Sequence, residues 1–357
     1  MKTLLITYDL QPPWDSGLKV YGRGLMSSIQ NIDSVDVSTM STIDDISKHV
    51  GNSYDYIHVV LTGLQPFSKA LRSFRHAIIF KHIVTPSIGL RNALSTKICY
   101  SVVNSWENRL VRCFSSKFVA NSYFMDSDMI VPPSIDISIF TNTGTISEEK
   151  VLSLLDLSPA KFGLENLRNR ADGLMLYSGP LTQDRFPYRK VLNALKQTRS
   201  QLLIIGRPSN NGADVGMAKE IISYAKNINL ENRVSIALKL LTEDEKITFL
   251  NFADVIIQPF EKSTHSYVAV DPPIFLLEAM SCGKPVITSK AYSFQSFIKN
   301  GYNGYAIEWD DSYEVDEAMK GCQNTARLGI NARQTVEQGF SNDYVSERIQ
   351  KIYNDYN

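Results

Sequence analysis

The fold of this chain is decided by one stretch: residues 270–288 read VDPPIFLLEAMSCGKPVIT. Asp271 is a good N-cap side chain, and the two prolines after it have the fixed φ that suits the first turn of a helix. Gly283 is typical of the residue that ends a helix, and the apolar run after it predicts a short strand. The stretch therefore predicts a helix followed at once by a buried strand, which is a unit of an α/β sheet.

Two chemical features follow from this helix. Glu278 lies among apolar residues inside it, so its carboxylate is expected to be buried and to need a partner. Because Pro272 and Pro273 carry no N–H group, the free amides at the helix start belong to Ile274 and Phe275. Free amides at a helix N-terminus suit a diphosphate.

Composition limits what these features can mean. The chain has 357 residues, of which 43% are hydrophobic, so two packed domains are expected rather than disorder. Its net charge of zero argues against a nucleic-acid-binding protein. The four cysteines (Cys99, Cys113, Cys282 and Cys322) lie far apart, so neither a disulfide framework nor a metal site is expected. No signal peptide or membrane-spanning run is visible, which predicts a soluble protein of the cytoplasm.

Short apolar strands alternate with helical segments along most of the chain. The predicted strands are residues 4–7, 35–38, 56–60, 77–80, 174–178, 202–205, 234–237, 255–258 and 285–288. A helix is also predicted over residues 160–171. This alternation indicates parallel sheets, whose ligands bind at the carboxyl ends of the strands. We therefore predict an α/β fold of two Rossmann-like doubly wound domains, residues 1–171 and 172–340, with a helix in 341–357 that packs back on the first domain.

The stretch 270–288 resembles the C-terminal signature of retaining glycosyltransferase family 4, one of the glycosyl transferases group 1 with the GT-B architecture of two domains facing across a cleft. That signature has two glutamates eight positions apart. Glu278 matches the second, which implies that it binds the ribose hydroxyls of a nucleotide-sugar donor. Val270 stands at the first, which in the family contacts the transferred sugar. Asp271, one residue later, is the candidate replacement, or else it is only the N-cap.

A second segment resembles the phosphate loop of the same family. It runs from Gly179 to Arg185, after the predicted strand 174–178. Pro180 stands where the family has arginine, and Arg185 stands where it has lysine. Lys190 follows closely and is a candidate to restore the lost charge. Fixed positive charge here would stabilise the leaving diphosphate, or the segment is only a solvated basic turn.

Two residues of the first domain complete the resemblance. Gly17 matches the glycine loop that lets backbone approach the donor phosphates, or it serves only a turn. His82, at the end of the strand 77–80, matches a histidine close to the transferred sugar, or it is a surface histidine. His58 lies within a strand and is predicted to be a core residue.

A basic region covers residues 69–117. It holds nine Lys or Arg side chains against one acid, Glu107, with interleaved aromatic residues such as Tyr100 and Trp106. Such a pattern suits an anionic membrane surface or a lipid-phosphate acceptor. An ordinary helical pair with a solvated basic face explains it equally well, and RNA is a third, weaker alternative.

Together, the residues and the resemblance predict a retaining, metal-independent glycosyltransferase of hexosyltransferase type. It would move a sugar from a nucleotide-diphosphate donor to a glycan or lipid-linked acceptor, without a cofactor, in the cytoplasm or peripherally on a membrane. The predicted site residues are His82 and Asp271 at the transferred sugar, and Gly17, Arg185, Lys190, Ile274, Phe275 and Glu278 at the donor. Two alternatives stay open. One is a decayed nucleotide-sugar-binding or glycan-binding protein, which Val270 and Pro180 favour, and the other is a nucleotide-sugar epimerase, which needs a carboxylate pair or a general base near the sugar.

Overall fold

The protein is described by a computed structural model that covers residues 1–7, 9–13, 17–39, 48–49, 51–60, 74, 77–83, 116–120, 129–169, 173–209, 211–261, 272–291, 293–323 and 326–356. Contacts divide the chain into two units. The first comprises Met1–Asp136, Thr264–Ile274 and Gly339–Asn357, and the second comprises Ile137–Ser263 and Phe275–Gln338. Each unit is built around one sheet.

The sheet of the first unit is parallel throughout. Its elements are β1 (Lys2–Thr7), α1 (Gly17–Gln30), β2 (Ser34–Thr39), β3 (Tyr56–Val59), β4 (Ile78–Ile83), β5 (Ser116–Ala120) and β6 (Met129–Ile130). The strand order is β2-β1-β3-β4-β5-β6, and all neighbouring strands are parallel. Leu4, Leu5 and Ile6 of β1 are fully buried, as expected for a strand covered on both faces.

The remaining elements alternate along the second half of the chain. They are α2 (Glu148–Asp156), β7 (Ala160–Phe162), β8 (Leu174–Gly179), α3 (Tyr188–Leu195), β9 (Gln201–Gly206), α4 (Ala213–Asn227), β10 (Val234–Leu238), α5 (Glu243–Phe252), β11 (Val255–Gln258), α6 (Ile274–Ser281), β12 (Val286–Ser289), α7 (Phe294–Phe297), β13 (Gly304–Ile307), α8 (Ser312–Gln323), α9 (Ala326–Gly339) and α10 (Asn342–Tyr356). Two short 3-10 turns, Leu164–Asn169 and Glu231–Arg233, lie between them.

The second sheet is doubly wound around β8. Its order is β13-β12-β11-β8-β9-β10-β7, and every pair is parallel except β7 with β10. From β8 the chain winds outward through β9 to β10, then returns and winds from β11 to β13 on the other side. The direction therefore reverses between β8 and β11, and the crevice outside the carboxyl ends of strands at such a switch point is where open α/β sheets bind ligands. The predicted class, an α/β fold with two Rossmann-like domains, is confirmed.

The segment 160–171 differs from its prediction. Instead of a helix, it forms the edge strand β7 and a 3-10 turn, because Gly163 adopts a left-handed φ of 62° that interrupts a helix. β7 pairs antiparallel with β10, with Phe162 opposite Ile236. This pairing places the segment in the second unit, so the division between the units lies at residues 136–137 rather than at the predicted 171–172.

The last helix, α10, packs within the first unit against α1 and the sheet. Tyr353 is fully buried, and its ring stacks on Tyr56 of β3 with a centroid distance of 3.7 Å and an angle of 6° between the rings. The Tyr56 hydroxyl donates to the Tyr353 carbonyl oxygen at 3.1 Å. The C-terminal helix is thereby tied to the centre of the first sheet.

Candidate functional site

The helix α6 ends where its sequence predicts, whereas its first residue follows the two prolines that were predicted to form its first turn. It starts at Ile274 after two buried prolines, and it ends before Gly283, which adopts a left-handed φ of 71°. Glu278 is 1% exposed on this helix, so the predicted burial of its carboxylate is confirmed. The partner that a buried carboxylate requires is Lys246, whose Nζ lies 2.5 Å from Glu278 Oε1.

Lys246 comes from α5, whose start is firmly fixed. The Thr242 side chain accepts a hydrogen bond from the Glu245 amide at 3.3 Å, and the Glu245 side chain accepts from the Thr242 amide at 3.0 Å, which is a capping box. The Lys246 ammonium also lies 5.1 Å from the centre of the buried Phe140 ring. Sequence reasoning missed Lys246, because nothing in the spacing of its surroundings connects it to Glu278.

The loop after β8 contacts the segment after β11. Arg185 lies in a turn of that loop, and its guanidinium group is 4.9 Å from the centre of the Phe260 ring. The Glu261 amide donates to the Asp184 carbonyl oxygen at 2.9 Å. Both segments leave the carboxyl ends of the strands that flank the switch point, so Arg185 lies at the edge of the sheet where a ligand is expected.

Lys190, on α3, is held by two carboxylates. Its ammonium lies 2.6 Å from Asp310 and 2.7 Å from Glu261. The hydrogen bonds that Lys190 donates to Asp310 and then to Glu261 raise the pKa of Lys190 above its ordinary value. The lysine is 40% exposed, so a ligand can reach it, but an anion would have to displace or share these two acids.

His82 is placed in the first unit and is 2% exposed. Its Nδ1 atom lies 2.8 Å from the Tyr21 hydroxyl, and its Nε2 atom lies 2.7 Å from Nδ1 of His58. The Tyr21 hydroxyl also donates a hydrogen bond to the Val131 carbonyl oxygen at 3.3 Å. Both ring nitrogens of His82 are therefore engaged inside the unit, and a contact with a sugar stays a prediction.

The hydrogen-bond chain continues from His58 through Tyr353 and Thr3 to the carboxylate of Asp33. His58 Nε2 lies 2.7 Å from the Tyr353 hydroxyl, which lies 3.3 Å from Thr3 Oγ1, and Thr3 donates to Asp33 at 2.8 Å. Because an ionised carboxylate only accepts, Thr3 is the donor to Asp33. Burial lowers the pKa of His58 to about 3, in agreement with a neutral ring.

The remaining predicted site residues lie at the starts of two helices or outside the described residues. Gly17 is the first residue of α1 in the first unit. Ile274 and Phe275 are the first two residues of α6, where amides are free to bind a ligand. Asp271 and Val270 lie outside the described residues, as does most of the basic region 69–117. Within the described ranges, no group of three or more His, Cys, Asp or Glu is arranged to hold a metal ion, and no helix is long and apolar enough to cross a membrane.

Comparison with known proteins finds a family match in the second half of the chain. Residues 182–334 match the family model of glycosyl transferases group 1. This part of the chain is therefore similar to a glycosyl transferases group 1 domain. It is 30% identical over 139 residues to N-acetyl-alpha-D-glucosaminyl L-malate synthase of Bacillus anthracis, an alignment that covers 38% of this chain and 34% of the relative. It is 29% identical over 190 residues to lipopolysaccharide 1,2-N-acetylglucosaminetransferase of Salmonella typhimurium, covering 50% of this chain and 47% of that relative. The chain thus spans less than half the length of these curated relatives.

A solved structure extends the likeness to the whole fold. The Anabaena protein HepE, solved in complex with UDP and glucose, has a TM-score of 0.65 and is 17% identical, with 99% of this chain and all of that chain covered. At this identity the likeness shows the fold, and it confirms the GT-B class together with the two parallel sheets.

The matched region, residues 182–334, contains the donor-side residues and omits the others. Arg185, Lys190 and the pair of Lys246 with Glu278 all lie within residues 182–334, as do Ile274 and Phe275. Gly17 and His82 lie before it.

Proposed function

We propose that this chain is a retaining glycosyltransferase that moves a sugar from a nucleoside-diphosphate donor to a glycan or lipid-linked acceptor without a metal ion. The observation that carries the proposal is the buried Glu278 of the matched region, on the helix that follows β11 at the switch point of the sheet. A carboxylate in that position accepts hydrogen bonds from a ribose diol. HepE, which shares the fold, was solved with UDP and glucose, so UDP is the first nucleotide to test.

The donor diphosphate would be bound by fixed positive charge and by free amides. Arg185 supplies a guanidinium group that suits phosphate oxygens, and the amides of Ile274 and Phe275 lie at the positive end of the α6 dipole. Lys190 would add a second cation, and the loop at Gly17 would border the phosphates. These groups stabilise the negative charge that develops on the diphosphate as it leaves, which is the main catalytic task in such a reaction.

The transfer needs no side-chain nucleophile in this proposal. The bond between the sugar C1 and the diphosphate oxygen breaks, and the bond between C1 and the acceptor oxygen forms on the same face of the sugar. The acceptor proton goes to an oxygen of the leaving diphosphate. His82 and Asp271 keep their proposed places at the transferred sugar.

Val270 favours a second candidate function. It replaces the glutamate that contacts the transferred sugar in the family that the sequence resembles, so the chain could bind a nucleotide sugar without transferring it. Both candidates bind a nucleotide sugar, but only the transferase releases nucleoside diphosphate from it.

Donor turnover tests the proposal and separates it from its alternatives. The purified protein is incubated with UDP-, GDP- and ADP-sugars, with and without EDTA, and both thermal stabilisation and release of free nucleoside diphosphate are measured. A transferase shows stabilisation and EDTA-insensitive release for at least one donor, and Glu278→Ala abolishes both. Stabilisation without release, even with added acceptors, supports the binding protein. A changed sugar still attached to its nucleotide would support the epimerase, and no response to any donor would overturn the proposal.

A further inference from the structure

The pair of Lys246 and Glu278 presents unused hydrogen-bonding groups. Glu278 Oε1 accepts from Lys246, whereas Glu278 Oε2 has no hydrogen-bond partner among the described residues. The Lys246 ammonium carries three N–H groups, and Glu278 is its one side-chain acceptor in the described part of the chain. Lys246 is 13% exposed, against 1% for Glu278. Glu278 Oε2 is not among the enclosed polar atoms that lack a partner in the described part of the chain, so this oxygen is open to a ligand although the residue as a whole is buried.

The position of Lys246 is fixed from several sides. The Phe140 ring lies beside its ammonium, and the Phe140 carbonyl oxygen accepts from Ser281 Oγ at 2.6 Å. One residue before Lys246, the Glu245 side chain accepts a hydrogen bond from the Thr242 amide at 3.0 Å, which fixes the start of α5. Neither the helix that carries Lys246 nor the ring beside it can shift without breaking these contacts. Lys246 therefore fixes Oε1 of Glu278, and the orientation of the second oxygen follows from it.

One open acceptor beside open donors complements a vicinal diol. Each hydroxyl of a ribose 2′,3′-diol both donates and accepts a hydrogen bond, whereas a carboxylate only accepts and an ammonium only donates. A 2′-deoxyribose removes one of the two hydroxyls and leaves part of the charged pair unsatisfied, which is the more costly outcome in a buried site.

We propose that Lys246 is a positioning residue that orients Glu278 toward the ribose diol of the donor, and that the site thereby selects ribonucleotides over 2′-deoxyribonucleotides. This inference rests on the proposed function, since it requires Glu278 to bind ribose. It adds a residue that the sequence did not reveal and a specificity that the family match does not assign.

Binding of UDP and 2′-deoxy-UDP, measured by titration calorimetry, tests the inference. GDP and 2′-deoxy-GDP are measured in parallel. The wild-type protein should bind the ribonucleotide about tenfold to a hundredfold more tightly than its deoxy form, the range expected for a hydrogen bond to a charged group. Lys246→Met should weaken ribonucleotide binding by about tenfold or more and reduce the preference for ribose to less than about threefold.

Lys246→Arg separates positioning from structural support. Arginine keeps the charge pair, so the variant should unfold at about the wild-type denaturant concentration. Its planar fork favours binding both carboxylate oxygens at once, which would occupy Oε2 and remove the ribose preference. This variant also keeps the inference testable if Lys246→Met fails to fold. Wild-type affinity and wild-type ribose preference in Lys246→Arg would overturn the inference.

Two further variants make the outcome specific. Lys239→Met is the matched control, because Lys239 is also 13% exposed and also lies 2.5 Å from a glutamate of α5. It should retain the ribose preference whatever it does to stability.

Glu278→Gln separates this inference from the proposed function. If Glu278→Gln keeps wild-type affinity and preference, the ribose site itself is refuted; if it loses them while Lys246→Met keeps them, only the role of Lys246 is refuted.

Discussion

Replacing Glu261 by glutamine should strengthen the binding of a nucleoside diphosphate. Glu261 and Asp310 hold the Lys190 ammonium at 2.7 and 2.6 Å, at the edge of the sheet where we place the donor diphosphate. In the free protein, these acids compete with phosphate oxygens for the same cation. Glu261→Gln removes one competitor and one negative charge without changing the size of the side chain.

The expected gain is small because the cluster is partly exposed. Lys190 is 40% exposed, Glu261 32% and Asp310 66%, so solvent screens both ion pairs. Pairs of this kind contribute about 0.2–1 kcal/mol each. Since Glu261 is the more buried partner, we expect about 1 kcal/mol, which corresponds to about fivefold tighter binding. The free energy of unfolding should fall by no more than the same amount.

Titration calorimetry with UDP at low and high salt measures this gain. The gain should be present at about 0.01 M ionic strength and largely lost at about 1 M, where the Debye length falls to about 3 Å. Asp156→Asn is the matched control: its partner Lys161 is 43% exposed and lies 2.6 Å away, and the pair is on another edge of the sheet. Unchanged or weaker UDP binding by Glu261→Gln at low salt would refute the reasoning about Lys190.

Two further predictions concern the buried hydrogen-bond chain of the first unit. Tyr353→Phe keeps the stacked ring but leaves the buried Nε2 atom of His58 without a hydrogen-bond partner, so chemical denaturation should show a loss of about 1–3 kcal/mol, whereas Tyr344→Phe on the same helix should change little. Burial lowers the pKa of His58 to about 3, so below pH 6.5 the unfolded chain binds a proton that the folded chain does not. The first unit should therefore lose up to about 1.4 kcal/mol per pH unit as pH falls below about 6.5, and a folded His58→Asn variant with the same pH slope would contradict this.

The sequence predicted the parts of the site that depend on neighbours along the chain. The end of α6 follows from Gly283, which lies within the stretch itself, and its start falls just after the two prolines. The burial of Glu278 follows from the apolar residues around it. His58 was predicted as a core residue for the same local reason, and it is 2% exposed with both ring nitrogens bonded.

The partners of these residues depend on the folded chain and were not predicted. Lys246 reaches Glu278 from 32 positions away on another helix. Glu261 and Asp310 reach Lys190 from the segments that follow β11 and β13. Charged side chains are common on predicted helices and loops, and only the order and register of the strands decide which of them meet.

The helix predicted over residues 160–171 was wrong for a related reason. Its composition suits a helix, but Gly163 breaks the helix, and β10 offers an unpaired edge that Ala160–Phe162 completes. Tertiary pairing overrides local propensity in such short segments. Because this segment belongs to the second unit, the boundary between the units lies at residues 136–137.

A crystal structure with bound UDP would test the central claim most directly. The ribose hydroxyls should lie within hydrogen-bonding distance of Glu278 and Lys246, and the diphosphate should lie at Arg185 and the first amides of α6. A nucleotide bound elsewhere, or bound here with its ribose away from Glu278, would contradict it.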